Sequence, residues 1–208
     1  MNGEFPPFPT GEFPPVKHAA VFLDRDGTLN EEVGYIHDPQ NLNLIPGAGE
    51  AIRTLNQRGI LAILVTNQSG PARGYYPESH IHTLHQRLND LLLDEGAVLD
   101  DLYYCPHLPD GTDPRYALSC ACRKPGTELV DRAVEKHGID LARSYVVGDK
   151  ATDVELGQAA GCKTVLLTSG YGERVLAGEY QWKVEPDFVA PTVLEAVTWI
   201  LADLGTRE

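Results

Sequence analysis

Short apolar runs alternate along this chain with segments of helical spacing, and that alternation constrains the fold more than any other feature. Ala19–Leu23, Ile60–Val65, Leu99–Tyr104, Tyr145–Val147 and Thr164–Leu167 are strand-length, and Ile60–Val65 is apolar throughout, as a strand buried on both faces must be. Between them, Ala48, Ala51, Ile52 and Leu55 share one helical face in Gly47–Gly59, and Ile81, Leu84, Leu88 and Leu91 share one in Pro77–Gly96. Thr127–Gly138, with Thr127 as N-cap, and Thr152–Gly161 read as further helices; Phe188–Ala190 and Thr192–Leu204 close with a strand and a helix. The expected fold class is α/β: an open, mostly parallel sheet with helices on both faces.

Prolines at 6, 7, 9, 14 and 15 prevent residues 1–15 from running far as helix or central strand. We therefore expect an extended N-terminal arm over 1–15 and a single domain over 16–208. With 17 basic and 30 acidic residues the formal net charge is −13, which disfavours sequence-independent nucleic-acid binding and adhesion to anionic membranes. No apolar run approaches the length of a membrane span, and the first twenty residues lack a basic stretch followed by an apolar one, so a cytoplasmic setting is expected.

The expected strands end in polar clusters, where parallel sheets bind ligands. The first gives Asp24-Arg25-Asp26-Gly27-Thr28, and the second gives Thr66-Asn67-Gln68-Ser69-Gly70. Cys122-Arg123-Lys124-Pro125 precedes a helix, and Asp149-Lys150-Ala151-Thr152-Asp153 follows the fourth strand. Asp24 and Asp26 point the same way while the backbone stays extended, and two such carboxylates repel unless a cation lies between them. A hard divalent ion such as Mg²⁺ suits oxygen ligands; a strand end followed by a turn is the plainer alternative.

The four clusters, in this order and context, resemble the haloacid-dehalogenase (HAD) superfamily of phosphotransferases over residues 16 to about 205. The resemblance implies a Rossmann-like HAD fold. Asp24 is then the nucleophile that forms an aspartyl-phosphate, and Asp26 the acid and base. Asp24, the Asp26 carbonyl and Asp149 would hold Mg²⁺, with Asp153 orienting that set. Thr66, Asn67 and Lys124 would bind the transferring phosphoryl group. Lys150 would temper the carboxylate cluster.

Cys105-Pro106-His107 and Ser119-Cys120-Ala121-Cys122 offer three thiolates and one imidazole, a closed tetrahedral set for a structural Zn²⁺ in a loop over 105–122. Three reduced thiols beside an unrelated His107 are the alternative. Cys162 reads as plain core. With this loop, Gly34-Tyr35-Ile36-His37 and Ser69-Gly70-Pro71-Ala72-Arg73-Gly74, the chain is similar to the D-glycero-D-manno-heptose 1,7-bisphosphate phosphatases and the related histidinol-phosphate phosphatases. Those groups lack a large cap domain, and no insertion here is long enough to be one. The resemblance implies a small phosphorylated sugar as partner, with Arg73, Arg123 and Lys124 as candidates for its second phosphate. Arg73 and Arg123 in surface salt bridges are the bland alternative. Histidinol phosphate is the other substrate implied, and a catalytically silent zinc-stabilised binding module is the alternative from another class. The oligomeric state is left open, a monomer included. His80, His82 and His85 read as a solvated helix face, because no carboxylate or cysteine completes a second metal set.

Overall fold

A computed structural model describes residues 18–205; the proline-rich arm lies outside the described residues. Six parallel strands form one sheet: β1 (Ala20–Leu23), β2 (Leu61–Asn67), β3 (Asp101–Cys105), β4 (Tyr145–Gly148), β5 (Lys163–Leu167) and β6 (Phe188–Ala190). Their spatial order is 3-2-1-4-5-6. The helices are α1 (Ala48–Gln57), α2 (Glu78–Asp94), α3 (Glu128–His137), α4 (Ala151–Ala160), α5 (Gly172–Ala177) and α6 (Val193–Gly205).

The sheet is covered on both sides because alternate residues of its central strands point to opposite cores. Val21, Leu23, Leu64 and Val147 pack with α1, α2 and α6. Ala20, Phe22, Ile63 and Val146 pack with Leu129, Val130 and Ala133 of α3 and with Leu156 of α4. All four β1 side chains are fully buried, so nothing in this strand can alternate with polar residues. Burying Phe22 alone contributes about 1.5–3 kcal/mol. Glycines in the left-handed conformation stop α3 (Gly138, φ 62°), α4 (Gly161, φ 78°) and α5 (Gly178, φ 74°), a geometry in which a Cβ would be strained.

Every expected strand and helix is present, with shifts of at most two residues at the ends. Thr127 occupies the N-cap position of α3, but its hydroxyl donates to Asp131 rather than capping a backbone N–H. The short helix α5 and the turn before it have no counterpart in the sequence reading.

The order 3-2-1-4-5-6 makes the chain turn one way from β1 through β3 and the other way from β4 through β6. Loops leaving β1 and β4 therefore diverge and open a crevice at their carboxyl ends. Asp24 follows β1 directly and Asp149 follows β4 directly. No described connection carries a separate cap over that crevice, and no helix among the described residues is long and apolar enough to cross a membrane.

Candidate active site

Asp24, Asp149 and Asp153 come together at the crevice, all buried, with carboxylate oxygens within 4.8 Å of one another. Asp24 leaves the end of β1, its backbone N–H held by Val147 O of β4 at 3.0 Å. Asp149 leaves β4. Asp153 sits in the first turn of α4, where its carboxylate accepts the Lys150 N–H at 3.0 Å and caps the helix.

Two lysines oppose the three acids. Lys124 is 4% exposed and places its ammonium 2.9 Å from Asp24 Oδ1 and 2.6 Å from Asp153 Oδ1, while donating to Val65 O at 2.9 Å. Lys150 lies 3.1 Å from Asp149 and 3.7 Å from Asp24, and it also pairs with Glu32 at 3.0 Å. Burial by itself would raise Asp24, but the charges of Lys124 and Lys150 overcome it and hold the carboxyl well below the usual range. Burial pushes Asp149 up to about 7, helped by Asp24 and Asp153 and opposed by Lys150 and the Tyr171 N–H. The site thus keeps Asp24 ionised, while burial raises both Asp149 and Asp153.

That arrangement fits a hard divalent cation, whose charge would offset the crowding of Asp24, Asp149 and Asp153. The backbone around it leaves no room for side chains. A Cβ on Gly27 (φ +80°) would stand 2.2 Å from Asp149 Oδ2, and one on Gly170 would stand 2.1 Å from it.

Asp26 is placed differently from the trio. The chain leaves the extended conformation after Leu23, and the Asp26 carboxylate turns to a cradle of nitrogen donors: Arg25 through Nε and Nη2, Asn30 Nδ2 and Gln68 Nε2, at 2.9–3.1 Å. It still lines the same cavity as Asp24. The cation beside it is Arg25, which is 1% exposed. Arg25 and Gln68 sit within the sequence motifs, but only their tertiary contacts with Asp26 reveal their part.

Thr66 is buried, its hydroxyl accepting from Gln68 Nε2 at 3.1 Å, and it is not among the residues lining the cavity. Asn67 lines the cavity and grips the backbone of Lys124 twice: Oδ1 accepts its N–H at 3.0 Å and Nδ2 donates to its carbonyl at 3.2 Å. The second cluster therefore positions the third. Arg123 donates to His107 O at 2.9 Å and Arg73 stands over the Tyr35 ring at 5.7 Å; both line the cavity, which has a volume of about 620 Å³. Neither arginine forms a surface salt bridge among the described residues. Two contacts from the end of β5 were also missed: Ser169 Oγ donates to Gly27 O at 2.8 Å and the Tyr171 N–H donates to Asp149 Oδ2 at 2.9 Å. The rule that ligands gather at strand ends could have found them.

The sulfurs of Cys105, Cys120 and Cys122 lie 3.1–3.5 Å apart, and His107 Nδ1 lies 3.4 Å from Cys122 and 3.7 Å from Cys105. All four cysteines are free. Tetrahedral zinc with Zn–S bonds of about 2.3 Å sets its sulfurs about 3.8 Å apart. The cluster is slightly tighter than that and fits a metal ion, with all four donors supplied by protein. Cys162 is buried apart from it, its thiol pushed up to about 12 by burial.

The histidine reading needs correction. His80 contacts Ile36 O at 2.9 Å and His82 reaches the Tyr104 hydroxyl at 3.2 Å, but His85 is only 4% exposed and faces the core. Burial, followed by the charges of Arg25 and His82, lowers it to about 3.

Comparison with known proteins agrees with this geometry. The HAD-hydrolase-like family matches residues 121–196. A D-glycero-D-manno-heptose-1,7-bisphosphate 7-phosphatase from Thermosynechococcus vestitus is 50% identical over 192 residues, which are 90% of this chain and 98% of that protein. This chain belongs to the heptose-bisphosphate phosphatase family of HAD-like hydrolases. It is accordingly a phosphomonoester hydrolase, and the silent-module alternative falls away. A D-glycero-beta-D-manno-heptose-1,7-bisphosphate 7-phosphatase from Haemophilus ducreyi is 42% identical over 87% of this chain and 97% of its own. Among solved structures, the D,D-heptose 1,7-bisphosphate phosphatase from B. bronchiseptica, complexed with magnesium and phosphate, superposes with a TM-score of 0.78 at 30% identity. That match covers 89% of this chain and 99% of the other.

Proposed function

We propose that this heptose-bisphosphate phosphatase family member removes the 7-phosphate of D-glycero-D-manno-heptose 1,7-bisphosphate through an aspartyl-phosphate on Asp24. The observation that carries the reading is the buried ion cluster in which Lys124 touches both Asp24 and Asp153, with Asp24 and Lys124 lining a cavity large enough for a sugar. A carboxylate attacks a phosphate dianion only where cations screen the repulsion.

Asp24 Oδ attacks phosphorus in line with the sugar oxygen. The phosphorus–oxygen bond to the sugar breaks as the bond to Asp24 forms, and Asp26 gives its proton to the departing oxygen. Asp26 then takes a proton from water, which attacks the same phosphorus and returns Asp24 as carboxylate. Arg25, Asn30 and Gln68 fix the Asp26 carboxylate for both transfers. Lys124 neutralises the transferring group, Asn67 holds its backbone, and Thr66 steadies Gln68. Arg73 and Arg123, on the cavity wall, are assigned to the second phosphate.

Asp24, the Asp26 carbonyl and Asp149 would hold Mg²⁺, with Asp153 and Lys150 orienting the set, and the ion would supply charge screening for attack. Cys105, His107, Cys120 and Cys122 would hold a structural Zn²⁺ that braces Arg123 and Lys124, the two residues after the last ligand. We assign residues 16–208 to one phosphatase domain, with 105–122 as its zinc loop, working in the reducing cytoplasm where these thiols stay free.

The test is Mg²⁺-dependent phosphate release from heptose 1,7-bisphosphate, histidinol phosphate and a phosphorylated oligonucleotide, with phosphorus NMR to identify the ester lost. Loss of the 7-phosphate from the heptose, much faster than from the others, is expected. Preference for histidinol phosphate would overturn the substrate assignment.

A further inference from the structure

One wall of the cavity is used by none of the phosphate chemistry. Between α5 and β6 the chain runs without regular structure, and Tyr180, Gln181 and Trp182 of this stretch line the cavity. Three contacts pin the segment. The Tyr180 ring stacks on Tyr171 with centroids 4.1 Å apart and planes 14° from parallel. Gln181 Oε1 accepts the N–H of Ala151, the first residue of α4, at 3.0 Å. Trp182 Nε1 donates to Glu155 Oε1 of α4 at 2.7 Å.

Two features set this wall apart from an ordinary surface loop. Gln181 is the only non-glycine among the described residues with a left-handed backbone, φ 55°, a conformation that persists only where surroundings enforce it. Trp182 is 47% exposed, and a large aromatic group held rigidly at a cavity edge is more typical of a binding surface than of a solvated one. Much of the rest of the cavity is charged or polar, with Asp24, Lys124, Lys150, Arg73 and Arg123 in its lining; Tyr35 adds an aromatic ring, over which Arg73 stands. A sugar bisphosphate carries anionic ends and an apolar carbon–hydrogen face. The aromatic wall at 180–182 matches that face, and unlike Tyr35 its tryptophan ring is not covered by an arginine among the described residues.

We propose that Trp182, two residues beyond the stacked Tyr180, is the specificity platform for the ring of the sugar, and that Gln181 is a positioning residue that ties this platform to the start of α4. The proposal rests on the sugar-bisphosphate reading and adds what selects a ring over an acyclic phosphate. Because Ala151 lies two residues after Asp149, the tie also fixes the platform relative to the carboxylate cluster.

The chain has two tryptophans, and the other, Trp199, stacks on Phe188 away from the cavity. In the inert Asp24→Asn variant, heptose 1,7-bisphosphate should change the intrinsic fluorescence. The added substitution Trp182→Phe should abolish that change while calorimetry still reports binding. In the active enzyme, Trp182→Ala should raise KM for the heptose bisphosphate about tenfold with kcat little changed, and leave glycerol phosphate turnover unaltered. Gln181→Leu should raise KM likewise, and Gln181→Glu, which keeps the acceptor, should restore it. Equal effects on ring and acyclic substrates, or an unchanged KM, would overturn the proposal. If the wild type fails to hydrolyse the heptose bisphosphate, the substrate reading fails in that arm alone. The platform is then judged by the same comparison on a hexose phosphate against glycerol phosphate.

Discussion

Replacing Lys124 with methionine should cost this protein stability as well as activity, by an amount the geometry sets. The ammonium is 4% exposed and touches Asp24 and Asp153 at 2.9 and 2.6 Å. Methionine fills most of its volume but leaves three buried carboxylates facing Lys150, which is nearer Asp149 than Asp24. Removing one partner of a buried ion pair typically costs about 3–5 kcal/mol. An unfolding entropy of about 2.1 cal/mol/K per residue gives roughly 0.44 kcal/mol/K for a chain of this length. Tm should then fall by about 7–11 °C in metal-free buffer at pH 8. The deficit should shrink at pH 5.5, because the folded variant can bind a proton on the acid cluster, and it should shrink on adding Mg²⁺. Lys150→Met should lose less, since Lys150 is 20% exposed and solvent can take part of its place. Differential scanning calorimetry of both variants checks this. A Lys124→Met Tm within about two degrees of wild type would refute the idea that Lys124 is the main counter-charge.

Three further outcomes follow from the same structure. His85, lowered to about 3 by burial, stays neutral in the folded protein while its unfolded counterpart binds a proton below about pH 6.5. Stability should therefore decline as pH falls from about 6.5 to 3, by up to about 1.4 kcal/mol per pH unit, and His85→Leu should flatten that slope in urea titrations. Cys120→Ser should lose most of about one equivalent of zinc by metal analysis, and phosphatase activity should drop with it because Arg123 and Lys124 lose their brace. Gly170→Ala puts a Cβ 2.1 Å from Asp149 Oδ2, so the Mg²⁺ concentration for half-maximal activity should rise at least about tenfold, measured by metal titration of phosphate release.

The sheet was legible because strands buried on both faces leave unbroken apolar runs, as β1 does throughout and β2 does as far as Val65. Helix α5 was not, because six residues from Gly172 to Ala177 are too few to display a period. His85 was misread although its signal was present: Ile81, Leu84, His85 and Leu88 form one stripe at helical spacing, so residue 85 belongs to the apolar face whatever its chemistry. Asp24, Lys124 and Asp149 could be named from strand ends and order. The cradle around Asp26 could not, because Arg25, Asn30 and Gln68 meet it only through turns and a neighbouring strand. Asn67 shows the same limit: its two bonds to the Lys124 backbone span 57 positions of sequence, and no local pattern records them.

The central claim is that Asp24 carries the phosphoryl group. Rapid acid quenching during turnover of heptose 1,7-bisphosphate, followed by peptide mass spectrometry, tests it most directly. The account predicts one phosphoryl group on the peptide containing Asp24, absent when Mg²⁺ is withheld and absent from Asp24→Asn, which should also release no phosphate. Turnover by Asp24→Asn at a rate comparable to wild type, or a phosphoryl group on another residue, would contradict it.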